Sequence, residues 1–421
     1  MRGRPLALLL LAAHVGCAYA FSVNPLSIPR ALRAVARSRS KARVLRLSGG
    51  ASMSAVDSSE AVRALTDAMK SASSSQTPFS EAELDSAIDS LKELASADSP
   101  LDWAALRNLM GEVAHVSHKD WPKTEAAADE LRAIVKGPDD AEFQRIMKRV
   151  LRDGNWPAAA TAAESRAGSA LPWVVLVTGV NGIRKTSSVY QPWFKEALQQ
   201  ALGESYKGPM EELPDGSDSF FRQLDYMMAT LANKEFARLY KVEDIGDYAS
   251  LKDGIFQRYR KLAEMLGVLL VKEAQIKRLN VMVETSGRDV AMFKYVDQFF
   301  PEDKYRKLVV HFTINDIAFA EKSVDVRMTK EMADGRAAEK TGDAMTMICA
   351  NAGGPYGSSV LKGVQADSDK VWESISSGSA GDVGKSWYKA RINIMAAPHE
   401  WSVTAGSAAE GQSYKFGPPR Q

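Results

Sequence analysis

The chain of 421 residues has little cysteine and little histidine, two and five residues respectively. Cys17 lies in an N-terminal apolar stretch, which leaves Cys349 without an intrachain partner and excludes a disulfide framework. His115, His118, His311 and His399 are scattered, so no His/Cys spacing suited to zinc is present. Neither a G-x-S-x-G elbow nor a G-x-G-x-x-G turn occurs, which removes the usual sequence support for a serine hydrolase or a dinucleotide-binding unit. The apolar run near the start, residues 6–13, is far shorter than the about 20 residues a spanning helix needs. From Phe21 to Val56 there is no acidic residue at all.

What stands in those first 56 residues reads as an address. Arg2 and Arg4, the apolar run and Ala18-Tyr19-Ala20 before Phe21 form a secretory signal over residues 1–20. Residues 21–56 carry Arg30, Arg33, Arg37, Arg39, Lys41, Arg43 and Arg46 among Ser and Ala, the composition of a transit segment. The pair resembles the bipartite leaders of algae with secondary plastids, and implies a plastid (chloroplast) destination by the secretory route; secretion with a basic pro-segment is the alternative. The nine basic residues of this leader are unopposed, so the formal net charge of +2 becomes −7 for residues 57–421. An acidic mature chain lacks the broad positive field for nucleic acid, and a small-molecule substrate is expected instead, with no stable membrane anchor.

Residues 57–168 are expected to form an all-α region. Ser80 and Glu83 fit a capping box ahead of Leu84, Ile88, Leu91 and Leu94 at helical spacing, and helices are predicted over 101–115, 121–135 and 140–151. This region carries no evident chemistry and is a candidate docking surface for a protein partner. From residue 169 to 403 the texture predicts an α/β domain, a parallel sheet with flanking helices. The apolar runs 173–178, 280–284, 307–313 and 390–395 read as strands, and 191–202, 220–240, 251–277 and 319–332 as helices. Residues 404–421, rich in Gly, Ser and Pro, read as a loose tail.

The first strand runs into Gly179-Val180-Asn181-Gly182-Ile183-Arg184-Lys185-Thr186-Ser187 and then a helical stretch. Against G-x-x-x-x-G-K-[ST], Gly179, Lys185 and Thr186 fit, whereas Arg184 stands at the second glycine and Gly182 sits two residues earlier. Such a turn wraps phosphates with backbone N–H groups, a lysine reaches the β- and γ-phosphates and a hydroxyl holds Mg²⁺. A helix behind it would add a favourable dipole for anions. Asp218 and Glu284 are the natural carboxylates for acid–base and positioning work, with Asp215 as a competitor and a helix-capping role open for Asp218. Arg288, Arg327 and Arg336 suit the charge of a transferring phosphoryl group; pairing of Arg327 with Glu331, or a solvated face for Arg336, are the plainer readings. His311, inside an apolar strand, reads as a satisfied core residue.

From Leu176 to Met395 the order of these motifs resembles the zeta-toxin group of P-loop kinases, with an adenylate-kinase-like fold. The resemblance rests on Lys185-Thr186-Ser187, Asp218-Ser219-Phe220, Glu284-Thr285-Ser286-Gly287-Arg288, and Arg327 with Arg336 in a lid-like stretch. It implies an ATP- and Mg²⁺-dependent transfer to a hydroxyl of a small sugar, nucleotide-sugar or nucleotide-like substrate. Gly179, Asn181, Gly182, Arg184, Lys185, Thr186 and Ser187 would hold the nucleotide; Glu284, Ser286 and Arg288 would bind substrate. Asp218 would be the base and Lys185, Arg327 and Arg336 would stabilise charge, while Thr186, with Glu284 through water, would hold Mg²⁺. The alternative from another class is a nucleotide-binding or regulatory protein with weak or no turnover, which Arg184 favours.

Overall fold

The computed structural model describes residues 52–117, 120–351, 353–405 and 412–417, with side chains from residue 59 onward. The leader predicted for residues 1–56 therefore lies outside the described residues except for 52–56, which open the first helix. Residues 52–416, as far as they are described, belong to one compact unit.

The fold is α/β, built on a seven-stranded, mostly parallel sheet in the order β2-β3-β1-β4-β5-β6-β7. The strands are β1 (Trp173–Thr178), β2 (Ser219–Arg222), β3 (Asn280–Glu284), β4 (Arg306–Ile314), β5 (Tyr388–Ala397), β6 (Glu400–Ala405) and β7 (Ser413–Lys415). The first five in the order are parallel; β6 and β7 continue the sheet antiparallel. All six residues of β1 are buried, because it lies between β3 and β4 with both faces covered. That environment explains the unbroken apolar run in place of alternation.

Three elements differ from the sequence reading. Residues 220–240 are not one helix: Ser219–Arg222 pairs in parallel with β3, and two short helices, Leu224–Leu231 and Asn233–Leu239, follow. The edge N–H of Phe221 donates to the carbonyl of Gly154 at 2.7 Å, and Trp156 packs edge-on against Phe220, so a four-residue strand is held from outside the sheet. The stretch expected to be a loose tail, 404–421, supplies the last two residues of β6 (Glu400–Ala405) and all of β7.

The N-terminal helices are α1 (Ser52–Ser74), α2 (Glu81–Lys92), α3 (Trp103–Val113), α4 (Trp121–Val135), α5 (Ala141–Ile146), α6 (Lys148–Asp153) and α7 (Trp156–Glu164). Ser80 caps α2 with both halves of the capping box formed. Within the sheet region come α8 (Lys185–Ser188), α9 (Phe194–Leu202), α10 (Leu224–Leu231), α11 (Asn233–Leu239), α12 (Ile245–Ile276), α13 (Ala291–Phe299), α14 (Ile317–Thr341), α15 (Ala344–Ala350) and α16 (Leu361–Ser377). Among the described residues no helix is long and apolar enough to cross a membrane.

Helix α12, 32 residues long, is buried on most of its circumference and packs against α1, α4 and α10. Such a helix cannot be amphipathic in the ordinary sense, so its charges need internal partners. Arg258, 1% exposed, donates to the carbonyls of Thr77 and Pro78 and to both carboxylate oxygens of Glu83, with its guanidinium over the Phe79 ring at 4.0 Å. Lys261 donates to the carbonyls of Ser73 and His115. These side chains satisfy carbonyls in the last turn of α1, the loop before α2 and the short turn after α3, and tie those segments to α12.

Burial alone would raise the Glu83 carboxyl, but the hydrogen bonds from Arg258 and the Ser80 N–H outweigh it and hold Glu83 below the ordinary glutamate value. A depressed folded value means stability that is present above the unfolded pKa and lost as pH falls through the folded one. Glu83→Gln is thus expected to lower the urea midpoint at pH 7 and to matter less below about pH 4, whereas Arg258→Ala costs about 3 kcal/mol. Urea titrations from pH 3 to 8 check both; a pH-independent cost for Glu83→Gln would contradict the assignment.

Candidate functional site

The chain leaves β1, crosses to the edge strand β2, returns to β3 beside β1, and only then moves to β4 on the other side. The direction of winding thus reverses around the carboxyl end of β1, which is where ligands enter open parallel sheets. The turn leaving that strand is residues 179–184. Gly179 has φ 130°, and an added Cβ would lie 2.4 Å from the carbonyl oxygen of Phe312; Gly182 has φ 85°, and its Cβ would lie 2.7 Å from that of Ala320. Both positions therefore demand glycine on two counts.

Lys185 follows at the start of α8 and is 4% exposed. Its ammonium donates to the Val180 carbonyl at 2.7 Å and lies 3.3 Å from Glu284 Oε1. Thr186 Oγ1 donates to Glu284 Oε2 at 2.7 Å. Glu284 closes β3, whose continuation is zipped to β1: the Thr285 N–H donates to Val177 O and the Gly179 N–H to Ser286 O. Lys185, Thr186, Glu284 and the Ser286 backbone thus meet as the motif spacing suggested. Thr186 and Glu284 together offer hard oxygen donors suited to Mg²⁺, which takes one or two protein oxygens and keeps waters and phosphates for the rest. Ser187 sits in the same short helix, and Asn181 lies beside Gly354 of the loop 353–357.

Arg327 joins this end of the sheet. Its Nη2 donates to the Gly354 carbonyl at 2.9 Å, and its Nε lies 3.4 Å from Glu331, so the i,i+4 pairing and the location near the turn both hold. Arg288 lies with its guanidinium 5.1 Å from the centre of the Tyr356 ring. Glu331 in turn pairs with the fully buried Lys252 at 2.7 Å.

Four expectations fail. Asp218 precedes β2 at its starting end: it accepts from Asn280, the first residue of β3, at 3.1 Å and pairs with Lys195 at 2.9 Å. Glu284 is the last residue of the same strand, about 13 Å away at roughly 3.3 Å per residue. A base for the Glu284 site cannot stand there, and since Ser219 begins a strand, Asp218 is no helix cap either. Asp215 belongs to the same turn, accepting from the N–H groups of Ser217 and Asp218. Arg336 donates to the carbonyls of Tyr240 and Val242 and fastens the segment after α11, with no part in the site. Finally, α8 is a single four-residue turn. Pro192 lacks an N–H and disfavours helix at Gln191, so the helix dipole expected behind Lys185 is reduced to that of one turn.

The sequence reading missed Asp225, three residues beyond the end of β2 and in the first turn of α10. It is half-buried, close to Glu284 and 3.4 Å from where a Gly354 Cβ would stand. Burial, and then the negative charge of Glu284, push its carboxyl upward; Lys252, Arg327 and Arg260 oppose this incompletely. Two carboxylates with unequal environments at one strand end are the usual signature of an acid–base pair. The signal was available only to a reader who placed β2 correctly. His311 is buried in β4 with Nδ1 3.0 Å from Thr178 Oγ1 and Nε2 3.1 Å from Asp369, so its ring is partnered at both nitrogens.

No family model matches the chain, and no curated protein sequence matches it.

A raised folded pKa means that the folded chain holds a proton the unfolded chain has released, so stability falls as pH climbs from the ordinary aspartate range toward the raised value. Asp225→Asn is therefore expected to raise the urea midpoint at pH 7 and to leave it nearly unchanged at pH 3. A midpoint lowered equally at both would contradict the upward shift.

Proposed function

We propose that the chain is a P-loop kinase-like phosphotransferase, similar to the zeta-toxin group, that uses ATP and Mg²⁺ to phosphorylate a hydroxyl of a small sugar, nucleotide-sugar or nucleotide-like substrate. The observation that carries this reading is the meeting of Lys185, Thr186 and Glu284 at the carboxyl end of the central strand, behind a turn that requires both of its glycines. Mg·ATP would supply the transferable phosphoryl group and the cation that neutralises it.

The residues divide the remaining work. Lys185 would exchange the Val180 carbonyl for the phosphates, and the backbone N–H groups of the turn beyond Gly179 would face the same anion. Thr186 and Glu284 would hold the cation, Glu284 through water. Arg327 and Arg288 stand near enough to the loop to take up charge once their contacts to Gly354 and Tyr356 are exchanged for phosphoryl oxygens. Asp225 replaces Asp218 as the group that would accept the hydroxyl proton: it stands beside Glu284 and the loop 353–357, and burial holds its carboxyl above the ordinary aspartate value, which makes the carboxylate a stronger base.

Titrating Mg·ATP by calorimetry and following acceptor-dependent phosphate transfer tests this. Lys185→Ala should abolish binding, and Asp225→Asn should keep binding while lowering turnover by about 100-fold or more, the usual worth of a general base. Asp218→Asn should cost stability with turnover per folded molecule preserved. Absence of any ATP binding by the wild type would end the proposal.

A second reading, a nucleotide-binding regulator without turnover, is favoured by one feature: Lys185 and Arg327 are already satisfied by Val180, Glu284 and Gly354. ATP binding without transfer to any hydroxyl acceptor would select it. The basic leader supports a plastid destination by the secretory route. Residues 1–56 fused to a fluorescent protein should carry it into the plastid of a secondary-plastid alga; export to the medium would mark the secreted alternative.

A further inference from the structure

The loop's one departure from a phosphate-binding turn is Arg184, and its surroundings say what that arginine does. Its backbone has φ 64° and ψ 24°, the left-handed conformation that glycine adopts freely and other residues rarely do. Its side chain leaves the turn on the side of the sheet's antiparallel extension. The guanidinium lies 4.4 Å from the centre of the Trp401 ring in β6 and 5.3 Å from that of Phe416, just past β7. Burial pushes the guanidinium below its ordinary value without any carboxylate acting on it.

The two aromatic groups are themselves fixed. Phe416 N–H donates to Trp401 O at 3.2 Å, and Ser402 is paired with Lys415 across β6 and β7. Trp193, in the segment between α8 and α9, donates from Nε1 to Lys415 O at 2.9 Å, stacks on Tyr414 and meets Phe416 edge-on. Trp401 also meets Phe319 of α14 at 6.2 Å. Strands β6 and β7 are thus tied to the segment that follows the turn and to α14.

We propose that Arg184 is a positioning residue: its guanidinium, clasped by Trp401 and Phe416, holds the turn in the left-handed conformation that a glycine would otherwise supply. The C-terminal hairpin is then a working part of the loop. Placing the β6–β7 strands on Arg184 sets the direction of the residue 184 backbone, and through it the register at which Lys185 enters α8 beside Glu284. The clasp concerns the same loop as the proposed phosphate site, yet it stands whether or not a nucleotide binds there.

Amide hydrogen exchange over residues 179–188 in the full chain, for the wild type, Trp401→Ala, Arg184→Gly and the double variant, tests the coupling. Trp401→Ala should speed exchange in this segment by about tenfold, the scale of one desolvated cation–π contact. In the Arg184→Gly background the same change should have little effect, because glycine needs no clasp. Equal effects of Trp401→Ala in both backgrounds, or exchange that rises everywhere alike, would overturn the proposal. Phe416→Leu provides a milder loss if Trp401→Ala does not fold; should both fail to fold, recovery of folding by Arg184→Gly supports the clasp and no recovery refutes it. Loss of ATP binding with the coupling intact would count against the phosphotransferase reading alone.

Discussion

Where the central strand stops, the backbone passes so near to the carbonyl oxygens of Phe312 and Ala320 that no side chain fits at Gly179 or Gly182. That squeeze fixes the path of the turn between the end of β4 and the first half of α14. It sets where Lys185 and Thr186 arrive, and hence which carboxylate they meet. The sheet supplies Glu284 by hydrogen-bonding the chain beyond β3 back onto β1. Neither contact depends on the other, yet both converge on one strand end, which makes a chance meeting of a lysine, a threonine and a glutamate a poor account of it.

Three cations at this end each have a partner among the described residues. Lys185 is held by a carbonyl and a carboxylate, Arg327 by a carbonyl and Glu331, and Arg288 rests over a ring. Groups so satisfied cost little to bury, whereas a cation stripped of its partner costs several kcal/mol. An anion entering here must therefore replace these partners one for one. At the proposed site such an exchange would set selectivity: a ligand too poor in oxygens would leave a charge stranded, and one too bulky would have to displace the loop 353–357 as well.

Much of this arrangement could be read in advance, and the misreadings share one cause. Runs such as WVVLVT and NVMVE announce themselves because both faces are covered. SFFR, a four-residue edge strand, merges in sequence with the helical residues after it, and the short β6 and β7 at the other edge look like tail. The turn could be recognised from the spacing of Gly179, Gly182, Lys185 and Thr186, all of which act within nine residues. Asp218 and Asp225 could not be told apart, since the distinction depends on which end of β2 each occupies, and that is decided by pairing with β3, some 60 residues further on. Arg336 reads like a lid residue on its helix face, and only the folded chain shows that two carbonyls of another segment claim it.

Helix α12 has a consequence for how the chain is made. The residues of α1 touch those of α12 across a gap of 188 positions, as between Ser59 and Asp247. At ribosomal speeds of about 5–20 residues per second, the leading helices emerge roughly 10–40 s before the surface that will cover them. During that interval the apolar face of α1, Met69 among it, has no long helix to lie against. A nascent chain in this condition exposes apolar helix faces of the kind that holding chaperones bind.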